Sequence, residues 1–130
     1  MGYKIRLTTS FKEFWRYNVA LCCGCYDAQE QRCGFVAADS TIAPAGSHLA
    51  ERPDDVEEAR RLSFDVEDCH NIRLYLYIIP HTAPTSNIIG DVPPFDVKIE
   101  ITHNKKCLYT KRHHINQWSG ANINIELTRE

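Results

Sequence analysis

Four of the six cysteines in this chain fall between Cys22 and Cys33, within the stretch VALCCGCYDAQEQRCGF. Thiols crowded in this way have four uses: they hold a metal, form disulfides, act as nucleophiles, or pack as small apolar groups. Cys22 and Cys25 stand at the C-x2-C spacing that lets two thiolates reach one tetrahedral ion, and Cys33 with His48 offers a way to complete the set. A full site repeats that knuckle, and neither a second C-x2-C nor a histidine pair at H-x3–5-H spacing follows it. Cys22, Cys25 and Cys33 therefore stand as an alternative zinc set, and no cofactor is expected. A nucleophilic or redox thiol needs a depressed pKa, and the helix N-terminus that would lower it is missing from the pattern. Cys69 and His70 are neighbours on what reads as extended chain, so their side chains point to opposite faces. A thiol-dependent enzyme using Cys69 or the 22–33 cluster is kept as a competing reading. The expectation is that the cysteines pack in a core beside Val19, Phe35 and Val36.

A second constellation lies in HNKKCLYTKRHH, which gathers Lys105, Lys106, Lys111, Arg112, His113 and His114 onto one hairpin with Tyr109 among them. That arrangement suits contact with an acidic protein or nucleic acid, and equally suits a solvated edge strand that uses lysines to repel strand addition. The formal net charge of -2 and pI near 6.3 supply no global field toward polyanions, so a nucleic-acid partner is not expected. Trp118, in NQWSG, reads either as an exposed anchor or as a cover over the last hairpin; with Tyr75 and Tyr77 it forms the basis of an alternative carbohydrate-binding reading. Acidic residues Asp65, Glu67, Asp68, Asp91 and Asp96 lack the D-x-D-x-D-G order of a calcium loop. The chain also lacks G-x-S-x-G, a P-loop, a dinucleotide fingerprint and H-E-x-x-H.

The elements that must position these groups are strands. In FDVKIEIT, Phe95, Val97, Ile99 and Ile101 alternate with Asp96, Lys98, Glu100 and Thr102, the period of a strand with one buried and one wet face. HNKK reverses the chain into CLYTKRHHI, so residues 95–115 read as a hairpin, and ANINIELT repeats the alternation after the NQWSG turn. NIRLYLYIIP places Ile72, Leu74, Leu76 and Ile78 on one face and Arg73, Tyr75, Tyr77 and Ile79 on the other, which predicts a central strand covered on both sides. RLSFDVE is expected to pair with it, and YKIRLTT is a further strand. SFKEFWRYNVALCC fits helical and extended periods, with a slight preference for a strand paired to QRCGFVAA; RPDDVEEARRL carries the acidic start and basic end of a short helix. ADSTIAPAGSHLAE and PHTAPTSNIIGDVPP read as loops.

A chain of 130 residues with 43% hydrophobic and 25% charged content suits one globular domain over residues 1–130. The expected fold is a single antiparallel β-sandwich of about seven or eight strands with one short helix at most. No apolar run approaches the length of a bilayer span and no leader pattern opens the chain, so a cytoplasmic location with no membrane partner is expected. The expected role is non-catalytic: a protein-interaction or scaffold module that presents loops or a sheet edge to a protein partner, with self-association as a further outcome. The expected binding residues are Lys105, Lys106, Lys111, Arg112, His113, His114 and Trp118.

Overall fold

The computed structural model describes residues 2–44, 46–47, 49, 51–54, 61–84 and 92–128. Eight strands form two four-stranded antiparallel sheets: β1 (Tyr3–Thr8), β2 (Tyr17–Tyr26), β3 (Arg32–Ser40), β4 (Arg61–Val66), β5 (Asn71–Pro80), β6 (Phe95–His103), β7 (Lys106–Ile115) and β8 (Ala121–Thr128). The first sheet runs β4-β1-β6-β7 and the second β3-β2-β5-β8. The expected β-sandwich is therefore the architecture found. One 3-10 turn, Phe14–Arg16, precedes β2, so the ambiguous segment resolves as a short turn followed by strand. The expected helix in RPDDVEEARRL lies mostly outside the described residues, and Arg61 already belongs to β4.

Alternation drives the core. Ile5 and Leu7 of β1 and Val97, Ile99 and Ile101 of β6 face Val19, Leu21 and Cys23 of β2 and Leu74, Leu76 and Ile78 of β5 in one continuous buried cluster. Each such side chain contributes about 2 kcal/mol relative to exposure, the largest local reason for the sheets to stack. Two hairpins, β2-β3 and β6-β7, stay within a sheet; the other connections cross between sheets.

Two expectations need correction. RLSFDVE forms β4, but β4 pairs with β1, Ile5 opposite Phe64, and not with β5. In the second sheet β5 lies instead between β2 and the edge strand β8, with Cys22 opposite Tyr75 and Tyr75 opposite Asn124. β5 is central as expected, yet only one of its faces is covered: Tyr75 is 43% and Ile79 44% exposed.

Turn chemistry sets the strand ends. Asn104 (φ 50°) and Lys105 (φ 67°) both occupy the left-handed region, the requirement of the two-residue hairpin turn between β6 and β7. Asp27 shapes the β2-β3 turn by accepting from the backbone N–H groups of Gln29 and Gln31 through Oδ1. Between β7 and β8, Asn116 accepts from the N–H groups of Trp118 and Ser119, and Gly120 takes φ 70° to bring the chain across to the second sheet.

Candidate binding surfaces

The pleat of β2 decides the cysteine question. Cys22 points to the outer face of the second sheet while Cys23 and Cys25 point into the core, 0% and 3% exposed. A C-x2-C pair on a strand faces opposite ways. The proposed set of Cys22, Cys25 and Cys33 therefore does not converge, and among the described residues no three His, Cys, Asp or Glu side chains group to hold an ion. His48 lies outside the described residues.

The third member of this thiol group is Cys69, partly buried and more than forty residues from Cys25 in the chain. Backbone pairing of His70 N–H with the Tyr26 carbonyl at 3.1 Å brings the β4-β5 turn against the end of β2. Burial pushes the Cys69 thiol up to about 12, reinforced by a side-chain hydrogen bond with Cys25. Burial likewise pushes Cys23 up to about 11 and raises Cys25. These thiols are held protonated, the opposite of an activated nucleophile. All six cysteines are free; Cys33 and Cys107 are exposed, and Phe35, expected beside the thiols in the core, is 57% exposed.

The basic hairpin is split by the same alternation. Arg112 and His114 stand opposite the outward-facing Lys98 and Asp96, whereas Lys111 and His113 stand opposite the core residues Ile99 and Val97. His114 Nδ1 meets Asp96 Oδ1 at 2.5 Å. His113 Nε2 lies 2.9 Å from the Tyr109 hydroxyl, and burial, aided by Lys111, lowers the pKa of its imidazole. Lys105 and Lys106 sit at the turn and strand start, exposed. Trp118, 36% exposed, lies on the β7-β8 turn at the opposite end of β7 from Lys105 and Lys106. The seven expected binding residues therefore do not form one surface.

A buried polar cluster closes that end of the sandwich. Arg16, 1% exposed, packs its guanidinium 5.7 Å from the Phe11 ring and 5.4 Å from that of Tyr17. Its Nη2 donates to Gln117 Oε1 at 2.6 Å, and its Nε lies 3.0 Å from Glu13 Oε1 as an ion pair not aligned for a hydrogen bond. Tyr17 donates to the Gln117 carbonyl at 2.7 Å, and burial pushes its phenol up to about 12 against the pull of Arg16. His81 adds contacts to Thr82 Oγ1 and the Trp15 carbonyl, each at 2.7 Å. Nε and Nη1 of this buried cation have no hydrogen-bond partner among the described residues, so loss of Gln117 or Glu13 would leave its charge still less compensated.

Two open faces remain. On the outer face of the second sheet, register aligns Phe35 with Gly24 and Arg73, Ala37 with Cys22 and Tyr75, and Asp39 with Ala20 and Tyr77. The small side chains of β2 leave the rings of β3 and β5 uncovered. On the outer face of the first sheet lies a cavity of about 820 Å³, walled by Arg6 and Thr8 of β1, Arg61 of β4, Lys98 of β6 and Arg112 of β7, with Phe11 at one end. Of these, sequence reasoning singled out Arg112 alone. Arg6 and Lys98 are visible in the sequence as the polar phase of alternating strands, but nothing local indicates that those strands are neighbours.

Among the described residues the fold is thus an eight-stranded antiparallel β-sandwich with exposed aromatic and aliphatic side chains on one outer face and a cation-lined cavity on the other. No protein-family model matches the chain, and no curated protein matches it in sequence. Among solved structures it is similar to the crystal structure of a DUF4425 family protein from Bacteroides ovatus ATCC 8483. The identity is 11%, with 96% of this chain and 90% of that chain covered, at a TM-score of 0.40. At that likeness, function is argued from the residues of this chain.

Proposed function

We propose that the protein is a non-catalytic protein-interaction module whose docking surface is the outer face of the second sheet. The observation that carries this reading is that Phe35, Tyr75 and Ile79, three of the four large hydrophobic side chains exposed among the described residues, share that face. Exposed aromatic and aliphatic side chains grouped on one face mark protein contacts, and ring-bearing anchors dominate their energetics. Arg73 and Glu126 lie 3.8 Å apart on the same face and offset one another's charge, so the centre is close to neutral. The occupant that suits such a surface is a folded partner with a flat apolar face and few charges at its centre. Edge strand β3, which carries Phe35, lies along one side of the surface.

The test compares the wild-type protein with a Phe35→Glu, Tyr75→Glu double variant and with an Arg112→Gln control on the other sheet. Affinity capture from the native cell, quantified by mass spectrometry, is expected to recover a partner at least tenfold less with the double variant and equally with the control. Light scattering covers the case in which the partner is a second copy: a dimer dissociated by the same variant also supports the reading. No partner or self-association sensitive to Phe35 and Tyr75 overturns it.

A second reading rests on Tyr77 opposite Asn122 and Tyr75 opposite Asn124, which sets ring faces beside amide groups, a combination that suits a sugar ring. Trp118 lies off this ladder, on the turn before β8. A glycan array and a fluorescence titration that both stay flat would remove this alternative.

A further inference from the structure

The outer face of the first sheet carries a charge pattern that sheet stability does not account for. Register places Arg61, Thr8, Lys98 and Arg112 in one row across all four strands. Adjacent strands lie about 4.8 Å apart, so three cations occupy a band roughly 14 Å wide with a threonine between them. Lys98 and Arg112 stand directly opposite, where like charges are destabilising. A row selected for stability alone would alternate charge. The next row runs Ser63, Arg6, Glu100 and Thr110, which adds a fourth cation.

Asp65 lies on this face opposite Lys4, and the two carboxylates that line the cavity, Asp96 and Glu100, are already engaged. Glu100 lies 3.5 Å from Lys98, and Asp96 contacts His114 at 2.5 Å. Among the described residues Arg6, Arg61 and Arg112 have no carboxylate within ion-pair distance. In a chain whose net charge is -2, this face concentrates the opposite sign within a cavity. Guanidinium groups match planar or tetrahedral oxyanions through paired N–H donors, and the hydroxyl of Thr8 stands between Arg61 and Lys98.

The far end of the cavity is different in character. Phe11 stacks on Phe95 with ring centroids 4.1 Å apart, and both line the cavity beyond Thr8, Thr9 and Ser10. Thr9 is fixed there by donating to the Asp96 carbonyl at 2.8 Å. The cavity volume of about 820 Å³ falls within the range of small-molecule sites.

We infer that this cavity binds a small organic anion, an oxyanion group such as phosphate or sulfate seated over Thr8 among Arg61, Lys98 and Arg112, with an apolar body directed toward Phe11. The shared chemistry is a monoester carrying an aromatic or aliphatic group. The site lies on the other sheet from the proposed protein-docking face and does not depend on it.

The experiment is calorimetric titration of the full chain with phenyl phosphate, phenyl sulfate, inorganic phosphate and phenol. Phenyl phosphate or phenyl sulfate is expected to bind at least tenfold tighter than inorganic phosphate, with phenol silent, and whichever ester binds tighter identifies the oxyanion. The Arg61→Gln, Arg112→Gln double variant is expected to weaken the ester at least tenfold, and Phe11→Ala to reduce the preference over inorganic phosphate. Lys105→Gln, on the distant turn, serves as the control and leaves affinity unchanged. Because the double variant changes only exposed side chains and relieves the Lys98–Arg112 repulsion, its thermal unfolding midpoint should be no lower than that of wild type. Absence of binding by either ester at millimolar concentration overturns the inference, as does binding indifferent to the double variant. Duplex DNA binding tighter than both esters would also overturn it, because the row would then be a polyanion contact.

Discussion

The buried thiols give the sharpest chemical expectation. Alkylation by iodoacetamide proceeds through the thiolate, and an ordinary thiol with a pKa near 8.5 is roughly one-quarter ionised at pH 8. With its pKa pushed up to about 12, Cys69 has roughly one thiolate in 10⁴ at that pH, a deficit on the order of 2,000-fold. Higher basicity makes each thiolate more nucleophilic, which offsets roughly 40-fold of that deficit and leaves a net slowing of about 50-fold. For Cys23, pushed up to about 11, the same reasoning gives about 20-fold, and its complete burial adds the rarity of local opening. A peptide-resolved mass-spectrometric time course of the native protein is expected to show Cys33 and Cys107 labelled first, with Cys23, Cys25 and Cys69 trailing by more than an order of magnitude. A denatured control should label all six. If Cys69 ranks among the two fastest in the native protein, the desolvation argument fails, and a nucleophilic role for that thiol gains support.

Three further outcomes follow from backbone and titration geometry. Lys105→Gly relieves a left-handed residue in the β6-β7 turn and is expected to raise stability by about 1 kcal/mol in urea unfolding; an unchanged midpoint would show that the turn strain is not expressed. Gly120→Ala is expected to destabilise by about 3 kcal/mol, since φ is 70° and a Cβ would sit 1.9 Å from the Ile78 carbonyl oxygen; a wild-type midpoint would refute the close approach. His113 has its folded pKa below the ordinary 6.5 because of burial and then Lys111, and it faces the Tyr109 hydroxyl on its own strand and Val97 across the ladder. The unfolded chain therefore binds the proton more readily, so this contribution is complete above about pH 6.5 and is lost as pH falls through the lower folded value. His113→Gln should flatten the fall in urea midpoint between pH 7.5 and pH 5, and an undiminished slope would assign it elsewhere.

Much of the secondary structure was legible because a strand with one buried face records its geometry locally. Val97, Ile99 and Ile101 alternate with Lys98, Glu100 and Thr102 whatever lies next to them, and the two-residue turn at Asn104 and Lys105 fixes its own hairpin. Alternation states which face is buried and not which strand is adjacent. That is why proximity in sequence points β4 toward β5, whereas it closes the first sheet beside β1. It is also why Tyr75 and Tyr77 read as covered: an aromatic second face looks the same whether a partner or solvent lies over it.

The candidate sites follow the same division. Local pattern specifies most of the strands, two hairpins, the apolar phase that builds the core, and the lack of familiar catalytic signatures. Strand parity was enough, in principle, to send Cys22 outward and Cys25 inward and so to dissolve the C-x2-C pair. Long-range pairing alone brings Cys69 to Cys25 and sets Arg61 and Thr8 in one row with Lys98 and Arg112. Lys98 and Arg112 share one hairpin, whereas Thr8 and Arg61 come from strands far from it in the chain. Their juxtaposition is set by which apolar faces stack and which edges pair, long-range choices that the period of any single strand does not encode.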